Sequence, residues 1–210
     1  MIKTTAAYKE ALKEKGIFHH KAIIDFPDGS NDTVEDLDIY TFQISDGTSN
    51  TSSFDLGAAI AQQLTLKINN IDGRFDEHDF NGAVITVQVG LELLNGAVEW
   101  LDKGKFTAEP GEESGNSISV KAFDDMTKFD QPYSLSKLVY PATLGTIVRD
   151  ACSCCGVTLA SDTAAFDNNN FIVQNRPDDS ALTFRQVLQW VGQIACKFFR
   201  IDRFGKLSAR

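Results

Sequence analysis

The sequence predicts an α+β protein: an antiparallel β domain, barrel or sandwich, over residues 1–135 with a helix at its start, then a smaller α/β domain over residues 136–210. Three observations carry this. Apolar residues alternate at Leu64, Leu66 and Ile68 and again at Ile85, Val87, Val89, Leu91 and Leu93, the period of strands with one buried face. Further short strands recur between turn clusters up to Phe123, about seven in all, the spacing of an antiparallel barrel or sandwich. Beyond Ser134 to Pro141 the pattern changes to helix alternating with strand, which sets the domain boundary there.

In chain order, Thr5 caps a short helix running through Lys15, with Tyr8, Ala11 and Leu12 on one side, and Gly16 ends it. Lys21 to Phe26 reads as a strand, Pro27 to Asp32 as a turn, and Asp38 to Ser45 as a second strand with Tyr40, Phe42 and Ile44 alternating. Residues 45–53, rich in Ser, Thr, Asn and Gly, read as a loop. The two central strands follow, and Asn95-Gly96 predicts a type I′ hairpin turn after them. Val98 to Trp100, Lys103 to Ala108 and Ser117 to Phe123 are the remaining strands, with turns at Asp102 to Gly104 and Pro110 to Asn116. Asp124 or Asp125 caps one or two helical turns that end near Gln131-Pro132.

In the second domain, Leu144, Ile147, Val148, Ala151 and Cys155 share one helical face, and Gly156 stops that helix ahead of a strand at Gly156 to Leu159. Thr183 and Gln186 form a capping box, followed by Phe184, Val187, Leu188, Val191, Ala195 and Phe198 as a buried stripe. The last residues form a hairpin turning at Asp202 to Gly205, and the chain reads as the N-terminal part of a longer protein.

Composition narrows the function classes. A formal charge of −9 with no local basic stripe argues against direct nucleic-acid binding. No apolar run approaches the roughly 20 residues that span a bilayer, so membrane insertion is not expected. The first residues lack the apolar core of a secretion signal.

Candidate chemistry is sparse. Cys152 and Cys155 have redox-pair spacing, and Cys154 and Cys196 could join them in a zinc site, but the first three lie at a helix C-terminus, where the dipole opposes a thiolate. They read as small buried hydrophobes. Asp72, Asp76, Glu77, His78 and Asp79 cluster between the central strands without calcium-loop spacing, which points to a solvated acidic turn. His19 and His20 face opposite sides of an extended strand and cannot chelate one ion together. No nucleophile elbow, zinc-protease or phosphate-loop pattern occurs. The sequence therefore assigns no catalytic, cofactor-binding or metal-binding residue, and an enzyme is not expected.

Long ordered blocks carry a resemblance. YKEAL, SFDLGAAIAQQLTLKINNIDGRFDEHDFNGAVITVQVGLEL, VEWLDKGKFTAEP, AFDDMTKFDQPYS, LVYPATLGTIVRDACSCCGVTLA, VQNRPDDSALTFRQVL and FRIDRFGKL together resemble the N-terminal part of prophage tail proteins of Gram-positive bacteria, in the baseplate hub or tail-associated lysin group. The resemblance covers essentially the whole chain. It implies an antiparallel β-barrel domain followed by a smaller α/β domain, working as a structural subunit of a phage tail tip that links tail tube and tip. It implies a homo-oligomer, trimeric in the full-length protein, with other tail proteins such as distal tail and tape-measure proteins as partners. The protein would be made in the bacterial cytoplasm and end in the virion. The alternative is a module that binds or hydrolyses cell-wall polymer, with a cleft lined by Trp100, Trp190 and paired carboxylates; both tryptophans read more simply as core or interface residues.

Overall fold

The computed structural model describes residues 3–14, 16–47, 56–161 and 165–210. Lys15 and most of the 45–53 loop lie outside them. The protein is α+β, mostly antiparallel sheet with a few helices. It divides into two compact units, one of residues 1–44 with 64–122 and the other of residues 45–63 with 123–210.

The first unit opens with α1 (Ala6–Lys13), capped by the Thr5 hydroxyl, which accepts from the Tyr8 N–H. Its strands are β1 (Phe18–Asp25), β2 (Asn31–Glu35), β3 (Ile39–Ser45), β4 (Gln63–Asn69), β5 (Val84–Glu92), β6 (Val98–Ala108), β7 (Glu112–Ser114) and β8 (Ser117–Phe123). They pair in the order β2-β1-β5-β6-β8-β4-β3, with β7 on β8. The path has two ends, so backbone pairing does not close the expected barrel. The sheet nonetheless curls enough to bring the His20 ring of β1 to 4.9 Å from the Phe42 ring of β3.

Alternation builds the core. Ala22 and Ile24, Leu64, Leu66 and Ile68, Ile85 and Val87, Phe106 and Ala108, and Ile118, Val120 and Ala122 all point inward, with Phe26, Phe75 and Phe80 packed against them. The turn expected at Asp102 to Gly104 is instead a bulge inside the continuous β6: Val87 faces Gly104 and Gln88 faces Asp102, leaving Lys103 as the extra residue. Leu91 keeps the phase of Ile85 and Val87 and is buried, whereas Val89 is only half-buried. Gly90, paired with Trp100, leaves room for its ring. A Cβ there would stand 2.9 Å from Trp100 Cε3.

The Asn95-Gly96 hairpin also differs from the expected type I′ turn. Gly96 N–H bonds Leu93 O at 2.8 Å, Leu93 N–H bonds Ala97 O at 2.7 Å, and Gly96 has φ +80°. That is a type I turn closed by a glycine bulge. The same pattern of bonds recurs at Phe26 to Ser30, where Gly29 takes the positive φ. Strand β2, which includes two residues expected in a turn, has one buried side chain, Val34.

The second unit contains two 3-10 helices, η1 (Asp125–Asp130) and η2 (Tyr133–Leu135), then β9 (Ala142–Thr143), α2 (Leu144–Cys155), β10 (Thr158–Leu159), β11 (Ile172–Val173), α3 (Phe184–Ala195), β12 (Phe199–Ile201) and β13 (Lys206–Ala209). A small sheet runs β10-β13-β12, and β11 pairs with β9. The capping box at Thr183 and Gln186 forms, and Gly156 ends α2 in the left-handed region at φ +66°.

The core of this unit lies between α2 and α3, with Ile147, Val148, Ala151, Val187, Leu188 and Val191 facing inward. Helix α3 ends at Ala195, so Phe198 falls beyond the stripe and Phe199 takes the buried place. The division between units comes earlier than residue 135. Asp124 caps η1, and η1 turns Met126 and Phe129, both fully buried, into the second core. Arg176 ties the connection that follows: its guanidinium donates to the carbonyls of Tyr133, Ser136 and Leu138 at 2.9–3.1 Å.

Candidate functional site

Polar side chains of the first unit concentrate where β1 runs beside the β2–β3 turn. Lys21 pairs in register with Glu35 and its Nζ stands 2.9 Å from the Glu35 carboxylate. One residue further along the hairpin, Asp36 turns back over β1. His19 Nδ1 lies 2.8 Å from Asp36 Oδ2, His20 Nδ1 lies 3.0 Å from Asp36 Oδ1, and the His20 N–H also donates to Oδ1 at 2.8 Å. The two imidazoles, expected to diverge, therefore converge on one carboxylate, because the turn brings Asp36 to the strand edge between them. On its other side His19 Nε2 is 3.5 Å from Glu92 at the end of β5.

The hydrogen bond to Asp36 raises the His19 pKa above the ordinary imidazole value, against some burial and with help from Glu92. Partial burial would raise Asp36, but the His20 N–H and both imidazoles outweigh it and hold the carboxyl below its usual range. A shallow depression beside this cluster is lined by His19, Thr33, Glu35, Asp36, Leu37 and Asp38. Leu37, at the tip of the turn, is 94% exposed.

The acidic stretch between β4 and β5 folds as a series of local turns. Asn70 anchors it, donating to Asp76 at 2.7 Å and accepting from the Phe75 N–H at 3.0 Å. Arg74 reaches back toward Asp38, with 2.9 Å between Nη2 and Oδ2 but without the alignment of a hydrogen bond. His78 stacks on Phe26 at 4.3 Å. Asp72, Asp76 and Asp79 thus accept hydrogen bonds within the loop and His78 covers Phe26 of the Phe26, Phe75 and Phe80 cluster, while Glu77 is exposed. Among the described residues no group of three or more His, Cys, Asp or Glu side chains is placed to hold a metal ion.

In the second unit the four cysteines are free thiols, Cys152 and Cys155 buried and Cys154 and Cys196 exposed. Burial pushes the thiols of Cys152 and Cys155 up to about 12, and raises that of Cys154 with help from Asp150. These thiols are protonated at neutral pH and are poor nucleophiles. Asp124, a cap candidate in the sequence, is buried in a way the sequence does not show: it is 2% exposed, its Oδ1 accepts from the Met126 N–H at 3.0 Å, and its Oδ2 has no hydrogen-bond partner. Burial pushes this carboxyl up to about 6.

Of the two tryptophans, Trp100 is half-buried, with Lys21 Nζ 4.1 Å from its ring centroid, while Trp190 on α3 is 44% exposed. Other large apolar side chains stand well into solvent, Val139, Ile71 and Leu94 among them. No helix among the described residues is long and apolar enough to cross a membrane.

No family model matches the chain, and no curated protein sequence matches it. Among solved structures it is similar to the 43 kDa tail protein of prophage MuSo2 from Shewanella oneidensis, with 14% identity over 90% of this chain and 53% of that one and a TM-score of 0.59. It is also similar to a chain of the virion of a native gene transfer agent particle (10% identity, 66% of this chain, 50% of that chain, TM-score 0.46). A chain of the Francisella PdpA-VgrG complex matches at 9% identity over 93% of this chain and 31% of that chain, with a TM-score of 0.49. The chain spans about half the length of the prophage tail protein, with which it shares a fold.

Proposed function

We propose that this chain is a structural subunit of a prophage tail tip, the N-terminal part of a baseplate hub protein that links tail tube and tip. The observation that carries the reading is the fold shared with a prophage tail protein across 90% of the chain. In this reading the curled sheet of the first unit is the hub barrel, the full-length protein is a trimer, and its neighbours are other tail proteins of the distal-tail and tape-measure kind. Its place is the virion, and its work is assembly, without enzymatic activity of its own.

The local chemistry supports an assembly role over polymer hydrolysis. Trp100, one of the two residues that a sugar-binding cleft would use, is covered by Lys21 and fills the space that Gly90 leaves. Asp72, Asp76 and Asp79 of the acidic loop accept hydrogen bonds within its turns, and its Arg74 reaches Asp32 and Asp38 outside the loop. The test is the solution mass of the full-length protein and of this 210-residue chain, by light scattering over a concentration series. A trimer is expected for the full-length protein. A full-length protein that stays monomeric throughout overturns the hub reading.

A further inference from the structure

The arrangement around His19 does more than join two strands. Its imidazole is flanked by a carboxylate on each ring nitrogen: Asp36 Oδ2 at 2.8 Å from Nδ1 and Glu92 Oε2 at 3.5 Å from Nε2. A neutral imidazole has one N–H and one bare lone pair, so whichever tautomer it takes, a lone pair faces a carboxylate. Only the imidazolium satisfies both sides. We propose that His19 is a proton-gated strut that fastens the β2–β3 turn, with its exposed Leu37, to the end of β5 when protonated and lets the turn loosen when neutral.

The surroundings favour the cation. His20, the next residue on β1, shares Asp36 without reaching Glu92. From β2 and β6 come Glu35, which is engaged by Lys21, and Trp100, whose ring lies 6.4 Å from that of His19 and carries Lys21 over its face. Glu99 of β6 is occupied by the Thr5 backbone N–H and hydroxyl. Asp38, beyond Leu37, faces Arg74. Lys21 is a nearby cation that opposes protonation of His19, and it is itself paired with Glu35.

The sign follows from the two-carboxylate geometry. The strut is fully engaged below the unfolded imidazole value near 6.5 and is lost as pH rises through the higher folded value. The groups are partly exposed, so the effect has the size of a surface ion pair, roughly a two- to fivefold change in the closed-to-open ratio of the turn.

The experiment is an NMR titration of the intact chain, reading the His19 imidazole carbons together with hydrogen exchange of the Leu37 and Asp38 amides, corrected for the intrinsic pH dependence of exchange. His19 is expected to titrate above the ordinary value and the turn amides to become better protected as it protonates. In Glu92→Gln, which leaves the Asp36 contact intact, the His19 midpoint should fall and the pH dependence of protection should shrink. A His19 midpoint at or below the ordinary value, or a turn whose corrected protection does not change with pH, overturns the proposal, as does a Glu92→Gln midpoint equal to that of the wild type.

Discussion

Asp124 offers the sharpest test of the physical account of the second unit. Its carboxyl is buried at the cap of η1 with one oxygen bonded to the Met126 N–H and the other without a partner, and burial moves its pKa from 3.8 to about 6. The folded state thus holds this proton more tightly than the unfolded chain does. The resulting stabilisation is present below the unfolded value and is lost as pH rises through about 6. A shift of roughly two units corresponds to ~3 kcal/mol between the two limits. Replacing Asp124 by Asn keeps an oxygen for the Met126 N–H and removes the buried charge. In urea unfolding followed by helical circular dichroism, which reports chiefly α2 and α3, Asp124→Asn should gain on the wild type by about 2–3 kcal/mol between pH 4 and pH 8. Comparing the two proteins at each pH cancels carboxylates such as Asp36, whose lowered pKa acts with the opposite sign. Parallel stability curves for the two proteins across that range would refute the argument.

Two further outcomes follow from packing and burial. A Cβ on Gly192 of α3 would lie 2.7 Å from Lys197 O and 2.8 Å from Gly57 Cα, both backbone atoms, so Gly192→Ala should cost about 1–3 kcal/mol in thermal or urea unfolding despite the better helix propensity of alanine. Gly145→Ala in α2, where the nearest atom is 3.4 Å away, serves as the control and should be neutral or mildly stabilising. In native alkylation read by peptide mass spectrometry, Cys196 should label first, Cys154 slowly, and Cys152 and Cys155 only after unfolding; early labelling of either buried thiol would contradict the α2–α3 packing.

The parts of the fold legible in the sequence are those whose signal is local. Leu64, Leu66 and Ile68 announce a strand because one face is buried along its whole length, and Thr183 with Gln186 announces a helix start because the cap bonds lie within one turn. Strand β2 was illegible because Asn31, Asp32, Thr33 and Glu35 are polar and the strand, at one end of the sheet path, buries only Val34. Lys103 looked like a turn because Asp102 and Gly104 flank it, whereas pairing with β5 on both sides keeps the strand going through a bulge. The histidine cluster was within reach. Once Pro27-Asp28-Gly29 is taken as a hairpin, the register that sets Lys21 against Glu35 carries Asp36 to His20. The sequence leaves the cap between Asp124 and Asp125, and the unbonded second oxygen of Asp124 depends on burial by residues distant in the chain.

The second unit is discontinuous, and this governs the order in which it is completed during synthesis. Residues 45–63 belong to it, yet they are made between β3 and β4 of the first unit. Ala59 forms its bridge with Phe199, and Gly57 packs against Gly192, so this segment waits for partners that leave the ribosome about 140 residues later. The strands of the first unit have all been made once β8 has emerged, before α3 is synthesised. The second unit is completed last, when α3 and β12 have emerged to meet Gly57 and Ala59.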